Sequence, residues 1–314
     1  MPKIDEFFRM MAEHGASDLH LISGQPPTMR IHGELERIVG RAVLTTDTLH
    51  DMLYEIAPAS KKELFESTGD VDFGYEIPGL ARFRSNFFNH KHGVGAVFRK
   101  IPSKILTSED LGLPPILTRA AMLKKGLVLV TGPTGSGKST TLAAMVDYAN
   151  RNRKDHILTV EDPIEFVHQS QGCIVNHREV GLHTMTFASA LRGALREDPD
   201  IILVGEMRDL ETISLAVEAA ATGHLVFGTL HTENAAKTVD RMVEVFPHGE
   251  QPQIRNTLST ALRVVVAQNL FKRIDQKGRC AALEILVCTS AVSNLIRDAK
   301  TVQIASVMQT GKAI

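Results

Sequence analysis

The residues with the most chemical content form one run, Gly132-Pro133-Thr134-Gly135-Ser136-Gly137-Lys138-Ser139. It fills every fixed position of the phosphate-binding loop pattern G-x-x-x-x-G-K-[ST]. Glycines let a chain turn its backbone N–H groups inward around phosphate oxygens, and a helix starting directly afterwards adds its positive end. Lys138 is expected to reach the β- and γ-phosphates and Ser139 to hold Mg²⁺, with Gly132, Thr134, Gly135, Ser136 and Gly137 shaping the cradle. The flanks suit this reading. Leu127–Thr131 is an apolar, β-prone run and Ser139–Val146 is compatible with a helix. The run predicts a site for a nucleoside triphosphate.

Three more segments carry chemistry. In Asp155–Glu165 a buried strand runs into the adjacent acids Glu161 and Asp162, and Pro163 stops it. In Glu197–Asp209 the core strand Ile201–Val204 ends at Gly205 and Glu206, a Walker B arrangement with glycine where many such motifs carry Asp. Ligands of parallel sheets gather at the carboxyl ends of strands, so both acids are expected on the side of the phosphate loop. An acid there can orient Mg²⁺ through its water shell or polarise the attacking water. Gly223–Thr232 reads as a third buried strand, framed by His224 and His231.

The chain has 314 residues, enough for about two domains, and 43% hydrophobic residues suffice for ordinary cores. With 35 Lys and Arg against 36 Asp and Glu the formal net charge is −1, so no global basic field argues for nucleic acid. No apolar run approaches the roughly 20 residues of a membrane span, and Met1–Phe8 lacks a signal-peptide core, which predicts a cytosolic protein. Cys173, Cys280 and Cys288 are scattered and form no C-x-x-C pair, arguing against a disulfide framework or zinc site.

Residues 1–100 mix short helices with alternating strands: Leu19–Ile22 and Thr28–Ile31 around a turn at Gly24–Pro27, then Ala81–Phe88 and Gly95–Arg99. Residues 101–115, with three prolines, read as a linker. Strands and helices alternate over 116–270, as a mainly parallel sheet requires. In 271–314 a turn at Gln276–Gly278, a strand over Ala282–Val287 and helical residues after Ser290 are expected.

In order, the four chemical segments resemble the Walker A, Asp box, Walker B and His box of the secretion ATPases, the hexameric motors of type II secretion and type IV pili. Ser17–Leu21, Gly79–Arg84, Ala96–Ser103, Leu195–Asp200 and Asn294–Arg297 resemble the PilT-type pilus retraction ATPases in particular, so the likeness runs nearly end to end. It implies a PAS-like N-terminal domain, a RecA-like ATPase domain, a homohexamer and use of ATP with Mg²⁺. It also implies that Lys138, Ser139 and Thr140 contact phosphates and metal. Glu161 would activate water while Glu206 acts on Mg²⁺, roles that could be reversed. His231 and His224 would sense the γ-phosphate, and Arg82, Arg84 or Arg99 would reach the γ-phosphate of a neighbouring subunit's nucleotide. Arg192, Arg196 and Arg208 are candidates for subunit contacts.

The family further implies a PilC-type platform protein of the inner membrane as partner, location at the cytoplasmic face of that membrane, and a sister retraction ATPase. Domain closure would be hinged near residues 101–115. Ser293 departs from the family's C-terminal helix signature, which carries Arg there, and relatives continue beyond Ile314, so a truncated or partly ordered chain is expected. Absence of a long N-terminal extension and of a four-cysteine insertion favours the retraction class over extension or type II secretion motors. A nucleic-acid translocase on the same site would call for stacking aromatics, but the chain has no Trp and three Tyr. A non-hydrolysing regulator would have lost Glu161 or Glu206, and both are present. An accessory PilU-type retraction ATPase is separated poorly from the PilT type by sequence alone.

Overall fold

The computed structural model describes residues 2–101, 104–274 and 278–310. Pro102 and Ser103 of the proline-rich segment, Gln276 and Lys277 of the expected turn, and residues 311–314 of the expected terminal run lie outside them. The described chain forms two compact units: Met1–Lys104 with Asp162–Val167, and Ile105–Glu161 with His168–Ile314.

The first unit contains α1 (Asp5–Glu13), β1 (Asp18–Ile22), β2 (Thr28–Ile31), β3 (Glu34–Arg37), α2 (Thr46–Ile56), α3 (Ala59–Thr68), β4 (Asp70–Ile77), β5 (Ala81–His90) and β6 (Gly93–Ile101). Its six strands form an antiparallel sheet in the order β3-β2-β1-β6-β5-β4. In β5 the alternation is strict: Ala81, Phe83, Ser85 and Phe87 are buried, and Arg82, Arg84 and Asn86 face the other way. That period-2 pattern needs one covered face and one polar face. On the covered face Phe8 of α1 stacks on Phe83 at 4.2 Å and meets Phe98 edge-on at 5.0 Å.

The second unit contains α4 (Pro115–Ala121), β7 (Gly126–Thr131), α5 (Lys138–Asn152), β8 (His156–Glu161), β9 (Ile174–Glu179), α6 (Phe187–Ala194), β10 (Ile201–Val204), α7 (Leu210–Thr222), β11 (Leu225–Leu230), α8 (Ala235–Glu244), α9 (Gln251–Ala261), β12 (Leu262–Lys272), β13 (Arg279–Val287), α10 (Ser290–Arg297) and α11 (Ile304–Thr310). The sheet order is β13-β12-β7-β11-β10-β8-β9, with every pair parallel except β12 and β13. Every residue of β7, β10 and β11 is buried, as expected of central strands covered by helices on both faces. Polar caps start the helices that follow β10 and β11: the Asp209 carboxylate accepts from the Thr212 N–H at 2.8 Å, and the Asn234 side chain from Lys237 N–H at 2.8 Å.

Two features depart from the sequence reading. Edge strand β9 was not anticipated; its mixed exposure gives no clean period. Residues after 270 do not stand apart either. β13 pairs with β12 from Val264↔Val287 to Lys272↔Arg279, so this segment completes the same sheet.

Candidate nucleotide site

At the carboxyl end of β7 the chain turns through Gly132 (φ 141°), Gly135 (φ 79°) and Gly137 (φ 87°) before entering α5. A non-glycine residue at any of these would be strained. Crowding adds a second reason at two of them. A Cβ on Gly132 would sit 2.2 Å from the Gln268 carbonyl oxygen, and one on Gly137 would sit 2.9 Å from Gln268 Nε2; at Gly135 nothing lies within 4 Å. The buried Lys138 side chain folds back over the loop, donating from Nζ to the carbonyl oxygens of Gly132 (2.9 Å) and Pro133 (3.2 Å). Ser139 and Thr140 are half-buried in the first turn of α5, where backbone N–H groups lack intrahelical acceptors.

A phosphate fits this cradle on observations of the loop itself. The Ser136 hydroxyl is buried with no hydrogen-bond partner, a costly arrangement unless an acceptor or donor is supplied from outside the protein. A buried ammonium and a helix N-terminus converge on the same turn. Ser139 Oγ and the nearby carboxylates are hard oxygen donors, the set that Mg²⁺ takes together with nucleotide oxygens.

Parallel register brings the acids to the same end of the sheet as the loop. β8 and β10 pair from Ile157↔Ile201 to Val160↔Val204, which puts Glu161 beside Gly205. A Cβ on Gly205 would lie 3.2 Å from Glu161 Cα and from Val160 O, so the glycine permits the close approach of the two strand ends. That explains the glycine found ahead of Glu206. The Glu161 side chain is 12% exposed, and its Oε1 lies 3.8 Å from Nδ1 of His177 on β9. His177 Nε2 lies 3.0 Å from the His168 nitrogen and 3.3 Å from the His168 carbonyl oxygen, and its Nδ1 lies 2.8 Å from Thr159 Oγ1.

Glu206 is held from two sides. Arg208 grips it as a fork, Nε to Oε1 at 2.5 Å and Nη2 to Oε2 at 2.6 Å, and His231 Nε2 lies 2.9 Å from Oε1. Partial burial pushes the Glu206 carboxyl up, but the Arg208 hydrogen bond and charge, with His231, outweigh it and hold the group below the usual carboxylate range. His231 follows β11 directly, next to the loop, because Leu230 pairs with Thr131.

His224 must be corrected. It precedes the six-residue strand β11, whose first residue Leu225 pairs with Gly126 at the start of β7. At about 3.3 Å per residue it lies roughly 20 Å from His231, at the amino ends of the parallel strands. There its Nδ1 sits 3.0 Å from the Ala219 carbonyl oxygen, a local contact behind α7. It cannot touch a phosphate held by this chain's loop.

Arg82, Arg84 and Arg99 lie on the polar face of the first unit's sheet, where Arg84 and Arg99 are cross-strand partners. Arg82 Nη1 is 3.5 Å from Glu76, Arg84 Nε is 3.5 Å from Asp72, and Arg99 Nε donates to Asp18 at 2.8 Å. Burial pushes the Asp18 carboxyl up, and hydrogen bonds from Arg99 and Ser17 overcome this and lower it. Of the other arginines, Arg208 pairs within the chain as described, and Arg192 pairs with Glu211.

Sequence reasoning missed Gln268 and His177. Both are single residues of a common type, far in sequence from what they touch, and neither belongs to a spacing pattern.

A family model for type II/IV secretion system proteins matches residues 1–313. The type IV pilus retractation ATPase PilT of Pseudomonas aeruginosa is 55% identical over 311 residues, covering 99% of this chain and 90% of that protein. PilU, the type IV pilus ATPase of the same organism, is 39% identical, covering 98% and 80%. The crystal structure of the pilus retraction motor PilT with bound ADP superposes with a TM-score of 0.92 at 46% identity, covering 98% of this chain and 89% of that one. No described helix is long and apolar enough to cross a membrane. The phosphate loop, the paired strand-end acids and this likeness along almost the whole chain place the protein in the type II/IV secretion system protein family, on its PilT-type branch.

Proposed function

We propose that this chain is the ATP-hydrolysing motor of type IV pilus retraction, working as a homohexamer at the cytoplasmic face of the inner membrane. The observation that carries the reading is near full-length identity of 55% to a PilT, against 39% to a PilU from the same organism. In this reading Gly132 to Thr140 hold the phosphates, with Lys138 turning its ammonium from the loop carbonyls to the β- and γ-phosphates. Mg²⁺, held by Ser139 and through its water shell by Glu206, would neutralise charge on the phosphates. Glu161 then accepts the proton of the attacking water. The Arg208 fork favours this division, since a carboxylate held low is the poorer proton acceptor. His231, bonded to Glu206, would report the γ-phosphate.

Arg82, Arg84 and Arg99 of a neighbouring subunit would stabilise the transferred charge, making turnover depend on ring assembly. Loss of the γ-phosphate would then shift the balance between closed and open domain arrangements, hinged near residues 101–115. A PilC-type platform protein would receive the motion, and a sister ATPase of the PilU kind would act alongside. The test is surface pilus load and twitching motility in cells lacking this gene. Excess pili without motility is the expected result. Bald cells would overturn the reading in favour of extension or secretion, and normal pili with weakened motility would point to an accessory role.

A further inference from the structure

We propose that Gln268 is a positioning residue that presets the phosphate loop for a β-phosphate. The side chain is 2% exposed and lies on β12, next to β7 in the sheet. Its Nε2 donates to the Ser136 carbonyl oxygen at 2.7 Å, and its Oε1 accepts from Thr141 Oγ1 at 2.8 Å. Only one orientation of the amide satisfies both, because a carbonyl oxygen can only accept. The Ser136 carbonyl therefore sets which way the amide faces, Thr141 holds the amide there by donating to Oε1, and the two bonds together hold the Ser136 carbonyl toward β12.

That carbonyl determines a donor. In a planar trans peptide the C=O and the following N–H point in opposite directions. Pulling the Ser136 oxygen toward β12 turns the Gly137 N–H away from β12, out to the loop's other side. The two crowded glycines fit the same account. Gly132 lies against the Gln268 backbone oxygen and Gly137 against its amide, so the loop is draped directly over this residue. Preset donors bind a phosphate without first being ordered.

This inference rests on the nucleotide reading above, and the two can fail separately. Titrate a fluorescent ADP analogue and the matching AMP analogue into the full-length protein, its Gln268→Met and Thr141→Val variants, and Thr141→Ser as the conservative control. Methionine keeps the volume and removes the donor. Gln268→Met should weaken ADP binding about tenfold to a hundredfold and AMP binding much less, so the preference for ADP shrinks. Thr141→Val should move the same preference in the same direction, and Thr141→Ser should restore it. A merely structural role would lower thermal stability without changing the ratio of ADP to AMP affinity. Both Gln268→Met and Thr141→Val binding ADP within twofold of the unaltered protein, preference intact, would overturn the proposal; if Gln268→Met does not fold, Thr141→Val decides it. An unaltered protein that binds neither analogue would instead refute the nucleotide reading.

Discussion

Replacing Gly205 with alanine probes how the two acids are brought together. The new Cβ would lie 3.2 Å from Glu161 Cα, 3.2 Å from Val160 O and 3.4 Å from Glu161 Cγ. Comfortable carbon–carbon contact is about 3.5–4.0 Å, so the strand end must yield by a few tenths of an ångström. Two of the three atoms are backbone, and the Gly205 N–H is itself bonded to Val160 O at 2.8 Å, so no flexible side chain can absorb the clash. Overpacking of this kind costs about 1–3 kcal/mol, and each kcal/mol lowers the melting temperature of a unit this size by about 2–4 °C. The kinetic effect follows from displacement: misplacing a reacting group by 1 Å costs about a hundredfold, so roughly half that shift should cost about tenfold in kcat. Nucleotide affinity should not move, because the phosphate loop is untouched. Steady-state turnover, analogue binding and a thermal melt on one preparation check all three. Turnover within twofold and an unchanged melt would refute the claim that this close approach positions Glu161.

The Arg208 fork makes a pH-dependent prediction. Glu206 is held below its ordinary value of 4.5, so the stabilisation is fully present above that value and lost as pH falls through the lower folded one. The difference in melting temperature between the protein and Arg208→Ala should stay flat from about pH 8 to pH 5 and shrink in more acid solution. Asn150 is fully buried; its Oδ1 accepts from the Gln171 N–H at 3.1 Å and its Nδ2 donates to Gln169 O at 2.8 Å, tying down the turn before β9. Asn150→Leu should cost about 2–4 kcal/mol in denaturant unfolding, and a loss below 1 kcal/mol would show that the turn holds itself. Arg82→Ala should reduce hydrolysis by the assembled protein by about 10³-fold or more with nucleotide affinity within a few fold, and normal turnover would remove the arginine from catalysis.

The phosphate loop was legible in the sequence because its constraints are local: fixed glycines, a lysine and a hydroxyl within eight residues, between an apolar strand and a helix. Glu161 and Glu206 were legible for a related reason. Each ends a strand that reads as buried, and parallel packing forces such ends to one side. The family likeness, carried over to both histidines without regard to strand direction, produced the error at His224. A strand framed by two histidines has only one at its carboxyl end, and His231 is that one. The Gly205 oddity became intelligible only when β8 was seen against it. Gln268 could not have been found, because its partners Ser136 and Thr141 are 132 and 127 residues away and its own neighbours spell an ordinary strand.

The sheet order has a consequence for timing. On one side of β7, through β11, β10 and β8, stand His231, Glu206 and Glu161; on the other stands a neutral amide, Gln268. The strand-end groups of this chain suited to distinguish a triphosphate from a diphosphate are thus on one flank, while the flank that fixes the loop's shape acts on the β-phosphate that both nucleotides carry. Cleavage would release the first flank and leave the second gripping. A motor so divided would spend part of each cycle holding spent fuel, its power stroke separated from its reset, and stopped-flow measurements with sensors for free phosphate and free diphosphate that found both leaving at the same rate would contradict that order of events.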